Sequence, residues 1–312
     1  MRHLLRLVPL VALLAAGPAA AADKLTVLLD WFVNPDHAPL IVAKEGGYFA
    51  RAGLDVTLIA PADPSAPPRL VAAGQGDIAI TYQPDLMLQV KEGVPLVRFG
   101  TLVETPLNSL IVLRDGPVKS LADLKGKRIG YSVASFQEAY LSAVLASVGL
   151  SAKDVTLVNV NFNLVTALLS GQVDAALDGY RNFELTQLEL EGRPGIAFYP
   201  EEHGVPVYDE LIYVTRTALR DDPRLRRFID AIEQATIFIT NHPDEAKAMF
   251  LKSNPDLDDE LNRRAFDLTW PRFAKSPAAL DEGRYRRFAE FLKEKGLLDT
   301  VPPIDTYAIV PK

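Results

Sequence analysis

The sequence predicts an α/β protein of two lobes, each a mostly parallel sheet with helices on both faces. Short apolar runs suited to buried strands alternate with helical stretches along the first two thirds of the chain. That order of elements occurs twice. Two stretches of the first copy are similar in sequence to stretches of the second: DVTLI (55–59) to DVTLV (154–158), and AAGQGDIAI (72–80) to LSGQVDAAL (169–177). The 312 residues are enough for two medium domains, so a duplicated α/β unit is the expected architecture.

The first unit begins with the strand KLTVLL (24–29), followed by the helical stretch 38–53, the strand 54–60 and a helix that ends near Gly74. The second unit repeats this order from KGKRIGYS (125–132), through the helical stretch 136–149, to a helix that ends near Gly171. Glycine at these helix ends can take the left-handed conformation that terminates a helix. The runs IAI (78–80) and AAL (175–177) that follow then read as buried parallel strands.

Beyond the two units the chain is mostly helical. Glu210–Val214 predicts a return strand, and apolar residues at helical spacing predict a helix over Pro223–Thr240. Three further helices are expected over Glu245–Leu251, Asp258–Thr269 and Asp281–Lys295. We expect this tail to pack on the first lobe, which gives a first lobe of residues 23–111 and 213–312 and a second of 112–212. Two crossings, near Leu107–Arg114 and Tyr208–Arg216, would form a two-strand hinge.

Composition excludes several classes of function. Hydrophobic residues make up 48% of the chain and charged residues 23%, as in ordinary globular proteins. The net charge of −7 gives no basic field for nucleic acid. The absence of cysteine excludes iron–sulfur clusters and a cysteine nucleophile, and no pair of the four histidines has metal-ligand spacing. We therefore expect no metal, no cofactor and no nucleic-acid partner.

The N-terminus has the order of a secretory signal peptide. Arg2 and Arg6 precede the apolar run LVPLVALLAA, and small residues follow before Asp23. A membrane anchor is the alternative, but the apolar run is short of the roughly 20 residues that span a bilayer. We expect cleavage near Ala22, so that residues 1–22 are removed and the exported mature protein is not inserted in a membrane.

Aromatic and amide side chains follow the predicted strands in both units, starting with the stretch LDWFVNPDHAPL (29–40). Loops at the carboxyl ends of parallel strands lie along one sheet edge, where α/β proteins bind ligands. A cleft lined for a flat polar ring is therefore expected. The candidate ligand-binding residues are Trp31, Asn34, His37, Tyr82, Gln83, Ser132, Ser135, Tyr180, Asn182, Phe183 and Glu184.

Each candidate also has a structural interpretation. Trp31 can cap a core beside the turn at Asn34, and His37 can be a buried structural histidine. Ser135 fits a capping box with Glu138, although free N–H groups at that helix start could also hold an anionic or carbonyl oxygen. In the stretch DGYRNFE the aromatic side chains can pack under the loop while Glu184 caps the following helix.

Four stretches resemble the periplasmic substrate-binding proteins of ABC importers, within the family of pyrimidine-precursor binders for thiamine salvage that also contains a yeast pyrimidine synthase. They are LDWFVNPDHAPLIVAKEGGYFARAGLDV, LVAAGQGDIAITYQPD, SLADLKGKRIGYS and DAALDGYRNFELTQLELEG, and they extend from about Leu29 to Gly192. The resemblance implies a type II periplasmic binding protein fold whose lobes close on a ligand. It also implies an aminopyrimidine held between aromatic rings and bound by the carboxylate of Glu184.

The same resemblance implies a function and its partners. We expect a monomeric periplasmic protein that captures a hydroxymethylpyrimidine or formylaminopyrimidine and delivers it to an ABC permease and its ATPase. The first loop departs from the family pattern at Val33–Asp36 and at Ala38–Pro39, and Arg181 stands where relatives often carry tryptophan, so riboflavin, a sulfonate or an aromatic acid is the alternative ligand. A synthase is a further alternative, but the related enzyme uses a cysteine-rich loop where this chain reads YSVASFQ.

Overall fold

The computed structural model describes residues 21–133 and 137–312, so nearly all of the expected signal peptide and Ser135 with its capping box lie outside the described residues. The strands are β1 Asp23–Leu28, β2 Leu54–Ile59, β3 Ile78–Thr81, β4 Leu96–Val103, β5 Asn108–Leu113, β6 Arg128–Tyr131, β7 Thr156–Asn159, β8 Ala175–Tyr180, β9 Gly195–Phe198 and β10 Leu211–Arg216. The helices are α1 Ala38–Glu45, α2 Tyr48–Arg51, α3 Pro67–Ala72, α4 Gln83–Lys91, α5 Gln137–Ala146, α6 Leu164–Leu169, α7 Glu184–Leu190, α8 Pro223–Asn241, α9 Pro243–Ser253, α10 Glu260–Thr269 and α11 Glu282–Glu294. Within the described ranges no helix is long and apolar enough to cross a membrane.

The described strands form two five-stranded mixed sheets with the same arrangement. The first has the order β2-β1-β3-β10-β4 and the second β7-β6-β8-β5-β9. In each, the three strands of the repeated unit are parallel, while β10 in the first and β5 in the second run antiparallel to their neighbours. The predicted fold class, two α/β units with helices on both sheet faces, is confirmed.

The duplication extends to single hydrogen bonds. Asp77 precedes β3, and its carboxylate accepts from the Thr26 N–H of β1 at 2.9 Å. Asp174 precedes β8 in the same way and accepts from the Arg128 N–H of β6 at 2.9 Å. Each aspartate thereby joins the start of one parallel strand to its neighbour. The preceding turn contains Gly74 or Gly171, both with positive φ as predicted from the helix ends.

The chain passes between the sheets twice. Residues 104–107 lead from β4 in the first sheet to β5 in the second, and residues 199–210 lead from β9 back to β10. These connections lie beside the predicted crossings, and the predicted lobe boundaries stay predictions. Asp209 and Glu210 end the second connection, where both side chains are buried.

The helical tail covers both faces of the first sheet. On one face, α8 packs against α1 and α2 and contributes Phe228 and Ile229 to the core around Phe99. On the other, Phe288 and Leu292 of α11 belong to a core cluster with residues of β4 and β10. Helix α10 of the tail is placed differently, because it contacts α7 of the second unit. The strand-end loops of the two sheets are therefore held face to face.

Candidate functional site

A cavity lies where the carboxyl ends of β1 and β3 meet those of β6 and β8. Its volume is about 30 Å³. Both sheets supply its walls, together with Glu210 of the second connection. It is lined by Asp30, Trp31, Asn34, Asp36, Tyr82, Asp85, Asn108, Val133, Asp178, Tyr180, Phe183, Glu184 and Glu210.

Aromatic side chains from the two sheets meet at this cavity. The Trp31 ring, from the loop after β1, lies edge-on to Phe162, from the loop after β7, with 4.6 Å between ring centroids. Phe32 lies near Phe183 at 5.9 Å. Trp31 also packs against the core of the second sheet. It is therefore an aromatic contact between the lobes as well as a cavity wall.

The loop after β1 is shaped by its own polar side chains. Asn34 Oδ1 accepts from the Asp36 N–H at 2.8 Å and so caps the turn that leads into α1. His37 Nδ1 accepts from the Asn34 N–H, which leaves Nε2 as the donor to Asp30 Oδ1 at 2.9 Å. His37 is fully buried and fixes the orientation of Asp30, whose other oxygen accepts from Tyr82.

Two tyrosines bring hydroxyl groups to the cavity from opposite sheets. The Tyr82 hydroxyl donates to Asp30 at 3.1 Å, and the Tyr180 hydroxyl donates to Glu210 at 3.3 Å. Burial raises the pKa of both phenols well above the ordinary value. Both hydroxyls therefore stay protonated, and each ring presents an apolar body to the cavity with its polar end already bonded.

Glu184 is the first residue of α7, and its carboxyl group lines the cavity. Its Oε2 accepts from the Tyr180 N–H at 2.7 Å, so one oxygen is used to close the turn between β8 and α7. Burial raises the pKa of Glu184 to about 8. At neutral pH the group is therefore mainly a carboxylic acid, which can donate one hydrogen bond and accept others.

Asp178 and Glu210 hold the backbone around the cavity. Asp178 has a positive φ of 63° within β8, a conformation that aspartate tolerates better than most residues. Its carboxylate there accepts from the Ser132 N–H at 2.9 Å and from the Val133 N–H at 3.1 Å. Glu210 accepts from the N–H groups of 107 and 108 at 2.6 and 3.0 Å, and burial raises its pKa to about 7. Glu210 thereby ties the two inter-sheet connections together.

A buried amide joins the lobes directly behind the cavity. Asn182 Nδ2, in the loop after β8, donates to Asp36 Oδ1 at 2.7 Å and to Thr269 Oγ1 at 2.6 Å. Asp36 belongs to the loop after β1, and Thr269 ends α10. Burial raises the pKa of Asp36 to about 6. This three-residue contact connects the second unit to the first.

The structure brings most of the predicted site residues together. Six of them line the cavity: Trp31, Asn34, Tyr82, Tyr180, Phe183 and Glu184. Four lie behind its wall, where they hold loops in place: His37, Gln83, Ser132 and Asn182. Ser135 lies outside the described residues. Ligand binding by any of these residues stays a prediction.

Sequence reasoning missed most of the carboxyl groups. Asp30 and Asp36 lie in the stretch LDWFVNPDH, Asp178 begins DGYRNFE, and Asp85 follows the YQP triplet. Their places next to predicted residues at strand ends were a usable signal. Glu210, at the start of the return strand, gave none, because its role depends on the two connections lying side by side.

Among the described residues, no group of three or more His, Asp or Glu side chains is arranged to hold a metal ion. The cavity carboxyls instead accept hydrogen bonds from backbone N–H groups and tyrosine hydroxyls. Rings, hydroxyls and buried acids of this kind can hold a small heterocycle that has N–H donors.

The fold is that of the two-lobed periplasmic binding proteins. The alkanesulfonate-binding protein SsuA from Xanthomonas axonopodis pv. citri, solved with MOPS bound, superposes with a TM-score of 0.74 at 18% identity, over 93% of this chain and 99% of that one. Within this fold the chain belongs to the NMT1/THI5 like family, whose model matches residues 34–246.

Similar proteins carry three different names. A Haemophilus influenzae protein named for thiamine biosynthesis is 48% identical over 96% of both chains. The formylaminopyrimidine-binding protein of Halalkalibacterium halodurans is 34% identical over 79% of this chain and 74% of its own. A Saccharomyces cerevisiae protein named 4-amino-5-hydroxymethyl-2-methylpyrimidine phosphate synthase is 25% identical over 82% and 78%.

Proposed function

We propose that this chain is the solute-binding component of an ABC importer, and that its solute is a pyrimidine precursor of thiamine, of the hydroxymethylpyrimidine or formylaminopyrimidine class. The observation that carries the proposal is one cavity lined by Trp31, Tyr82, Tyr180 and Glu184, in a chain 34% identical to a formylaminopyrimidine-binding protein. The mature protein would work in the periplasm and deliver its solute to a permease with its ATPase.

The chemistry of Glu184 suits a 4-aminopyrimidine. That ring presents an exocyclic N–H donor beside a ring nitrogen acceptor. A protonated carboxyl group matches both, because its O–H donates to the ring nitrogen while its carbonyl oxygen accepts from the amine. The pKa of about 8 makes this the main form of Glu184 at neutral pH. The paired hydrogen bonds would fix the orientation of the ring between the aromatic side chains.

Ligand entry requires the lobes to separate. The cavity is small, at about 30 Å³, and its walls come from both lobes. Trp31 and Tyr82 come from the first sheet and Tyr180 and Glu184 from the second, so a ring bound among them touches both lobes only when they approach. Its binding energy would then shift the population toward a closed form. The importer could recognise that form.

A different solute is the second candidate, because the SsuA likeness extends over nearly the whole fold. A synthase is the third, because relatives at about a quarter identity carry that name. This chain has no cysteine, which disfavours the cysteine-rich loop of the related enzyme. Conversion of a pyrimidine source into a phosphorylated product by the purified chain would favour the synthase.

Native mass spectrometry and calorimetry together test the proposal. Protein purified from its own cells under native conditions should carry a mass that matches an aminopyrimidine. Calorimetry of ligand-free protein should give tight, one-to-one binding of 4-amino-5-hydroxymethyl-2-methylpyrimidine or its formylamino analogue. Retention of riboflavin or a sulfonate, with no response to either pyrimidine, would replace the proposed solute.

A further inference from the structure

The described residues that line the cavity include six with a carboxyl group and none with a lysine, arginine or histidine side chain. The six are Asp30, Asp36, Asp85, Asp178, Glu184 and Glu210. His37 touches Asp30 from behind the wall. Arg181 is also outside the lining, where it pairs with Glu201 at 2.7 Å. The ligand therefore meets hydrogen-bond acceptors and acids.

Nearby donors are already used by these acids. The backbone N–H groups of Ser132 and Val133 donate to Asp178, and those of 107 and 108 donate to Glu210. The Tyr180 N–H donates to Glu184, and the Tyr82 hydroxyl donates to Asp30. An anionic group placed among them could accept from the Glu184 O–H, but it would have to displace one of these bonds to obtain any of the other donors.

One buried acceptor in the lining has no partner. Asn108 begins β5 and is 5% exposed, and its Nδ2 donates to Asp178 Oδ1 at 3.4 Å. Its Oδ1 is buried without a hydrogen bond. A buried carbonyl oxygen left unpaired costs free energy, which a ligand N–H can recover. The unpaired Asn108 oxygen, like the carboxyl groups, therefore favours a ligand that donates a hydrogen bond.

We infer that the cavity selects a ligand that presents N–H donors and carries no anionic group, so that an aminopyrimidine is taken without a phosphate ester. The inference rests on the proposed function and narrows its substrate class. A phosphate needs cationic or N–H partners when it leaves water, and like charges brought together oppose binding. An importer with this selectivity would supply a pyrimidine that a kinase-type reaction must then phosphorylate.

Calorimetry at pH 7 with a matched pair of compounds tests the inference. The probes are 4-amino-5-hydroxymethyl-2-methylpyrimidine and its phosphate ester, which share one ring. The free compound should bind at least about a hundredfold more tightly, since like-charge contacts cost several kcal/mol and 1.4 kcal/mol is tenfold. Equal or tighter binding of the ester would overturn the inference while leaving the proposed function intact.

Failure of the proposed function gives a different result. If neither pyrimidine binds, the pyrimidine assignment is wrong, and the same calorimetry with an alkanesulfonate and with uncharged riboflavin tests the charge preference alone. Binding of the sulfonate would overturn the inference, whereas binding of riboflavin without the sulfonate would support it.

A charge variant tests the cause of the preference. Asp85→Asn removes one carboxyl group from the cavity wall and keeps its shape, and it should reduce the preference for the free compound over the ester about fivefold. Asp55→Asn removes the same charge from an exposed position on β2 and should leave the preference unchanged. Equal preferences in wild type and Asp85→Asn, with both folded, would show that the carboxyl charge does not set the selectivity.

Discussion

Replacing Glu184 by glutamine isolates the effect of its buried proton. Glutamine has nearly the same shape as a protonated glutamate, and its side-chain oxygen can still accept from the Tyr180 N–H that Glu184 bonds at 2.7 Å. The substitution therefore keeps the turn between β8 and α7 and removes only the ionisation. Asp36 and Glu210 also have raised pKa values and are present in both proteins, and the negative charge of Asp36 contributes to the raised pKa of Glu184.

The expected effect on stability has a definite sign. The pKa of Glu184 rises from its ordinary value of 4.5 to about 8 on folding, because burial disfavours the charged form. Between these pH values the folded chain holds a proton that the unfolded chain has lost, so the free energy of unfolding falls as pH rises through this window. At about 1.4 kcal/mol per tenfold change in proton affinity, the full effect is several kcal/mol. Glu184→Gln should thus match wild type near pH 4 and be more stable at pH 8.

Affinity for a 4-aminopyrimidine should also depend on whether the Glu184 carboxyl group is protonated. Above about pH 8, wild-type Glu184 loses the O–H that donates to the ring nitrogen, so binding should weaken, whereas Glu184→Gln keeps a donor at every pH. Glu184→Ala removes both hydrogen bonds and should lose about tenfold to a hundredfold in affinity. Glu184→Gln should lose less at pH 7.

Two measurements test these effects. Thermal unfolding of ligand-free protein from pH 4 to 9 measures the effect on stability, and calorimetric titration at pH 6, 7.5 and 9 measures the effect on affinity. Glu189→Gln is the matched control, because it removes the same charge from an exposed position of the same helix. The control should have the pH profile of wild type. Identical profiles of stability against pH for Glu184→Gln and wild type would refute the raised pKa of Glu184. Undiminished affinity in Glu184→Ala would show that Glu184 lines the cavity without contributing to ligand binding.

Three further substitutions test the aromatic contact, the inter-lobe amide and the tyrosine hydroxyl. Trp31→Ala should weaken ligand binding tenfold or more, since an aromatic partner contributes on the order of 1 kcal/mol beyond its area; a lower melting temperature with unchanged affinity in calorimetry would make Trp31 only a core residue. Asn182→Ala should speed both association and dissociation in stopped-flow fluorescence, because it removes the bonds to Asp36 and Thr269 that close the lobes; unchanged rates would contradict that role. Tyr82→Phe frees one oxygen of Asp30 and should weaken calorimetric binding less than Trp31→Ala does, because the ring remains.

Most elements of the fold were predictable because their signals are local. The periodicity over Pro223–Thr240 corresponds to α8, Pro223–Asn241, and the run at Glu210–Val214 to β10, Leu211–Arg216. The duplicated pieces gave the order of the parallel strands. The antiparallel strand β9, Gly195–Phe198, was missed, because Gly195 and its half-buried neighbours give little strand signal and its place follows from pairing with β5.

The site was less predictable than the fold, because residue type alone does not say which way a side chain faces. Trp31 and His37 belong to one loop, yet Trp31 lines the cavity and His37 lies beneath it, bonded to Asp30. That difference depends on the turn capped by Asn34. The role of Glu210, which was not predicted, depends on two connections that lie side by side in the fold. Glu210 is 103 residues beyond Leu107 in the sequence, and its carboxylate accepts from the Leu107 N–H.

The contacts that close the cavity also constrain how it can work. Asn182 bonds Asp36 and Thr269, and Trp31 meets Phe162, so these contacts join the two lobes. A solute can enter only the fraction of molecules in which these contacts are open, which reduces its apparent affinity by that fraction. Under the proposed function the bonds of Asn182 could re-form after entry, because Asn182 does not line the cavity, whereas Trp31 lies in the cavity wall and would contact the bound heterocycle. If a ligand ring replaced Phe162 as the aromatic partner of Trp31, the lobes would still be joined through Trp31. The hydrogen bonds of Glu184 would then select which ring binds.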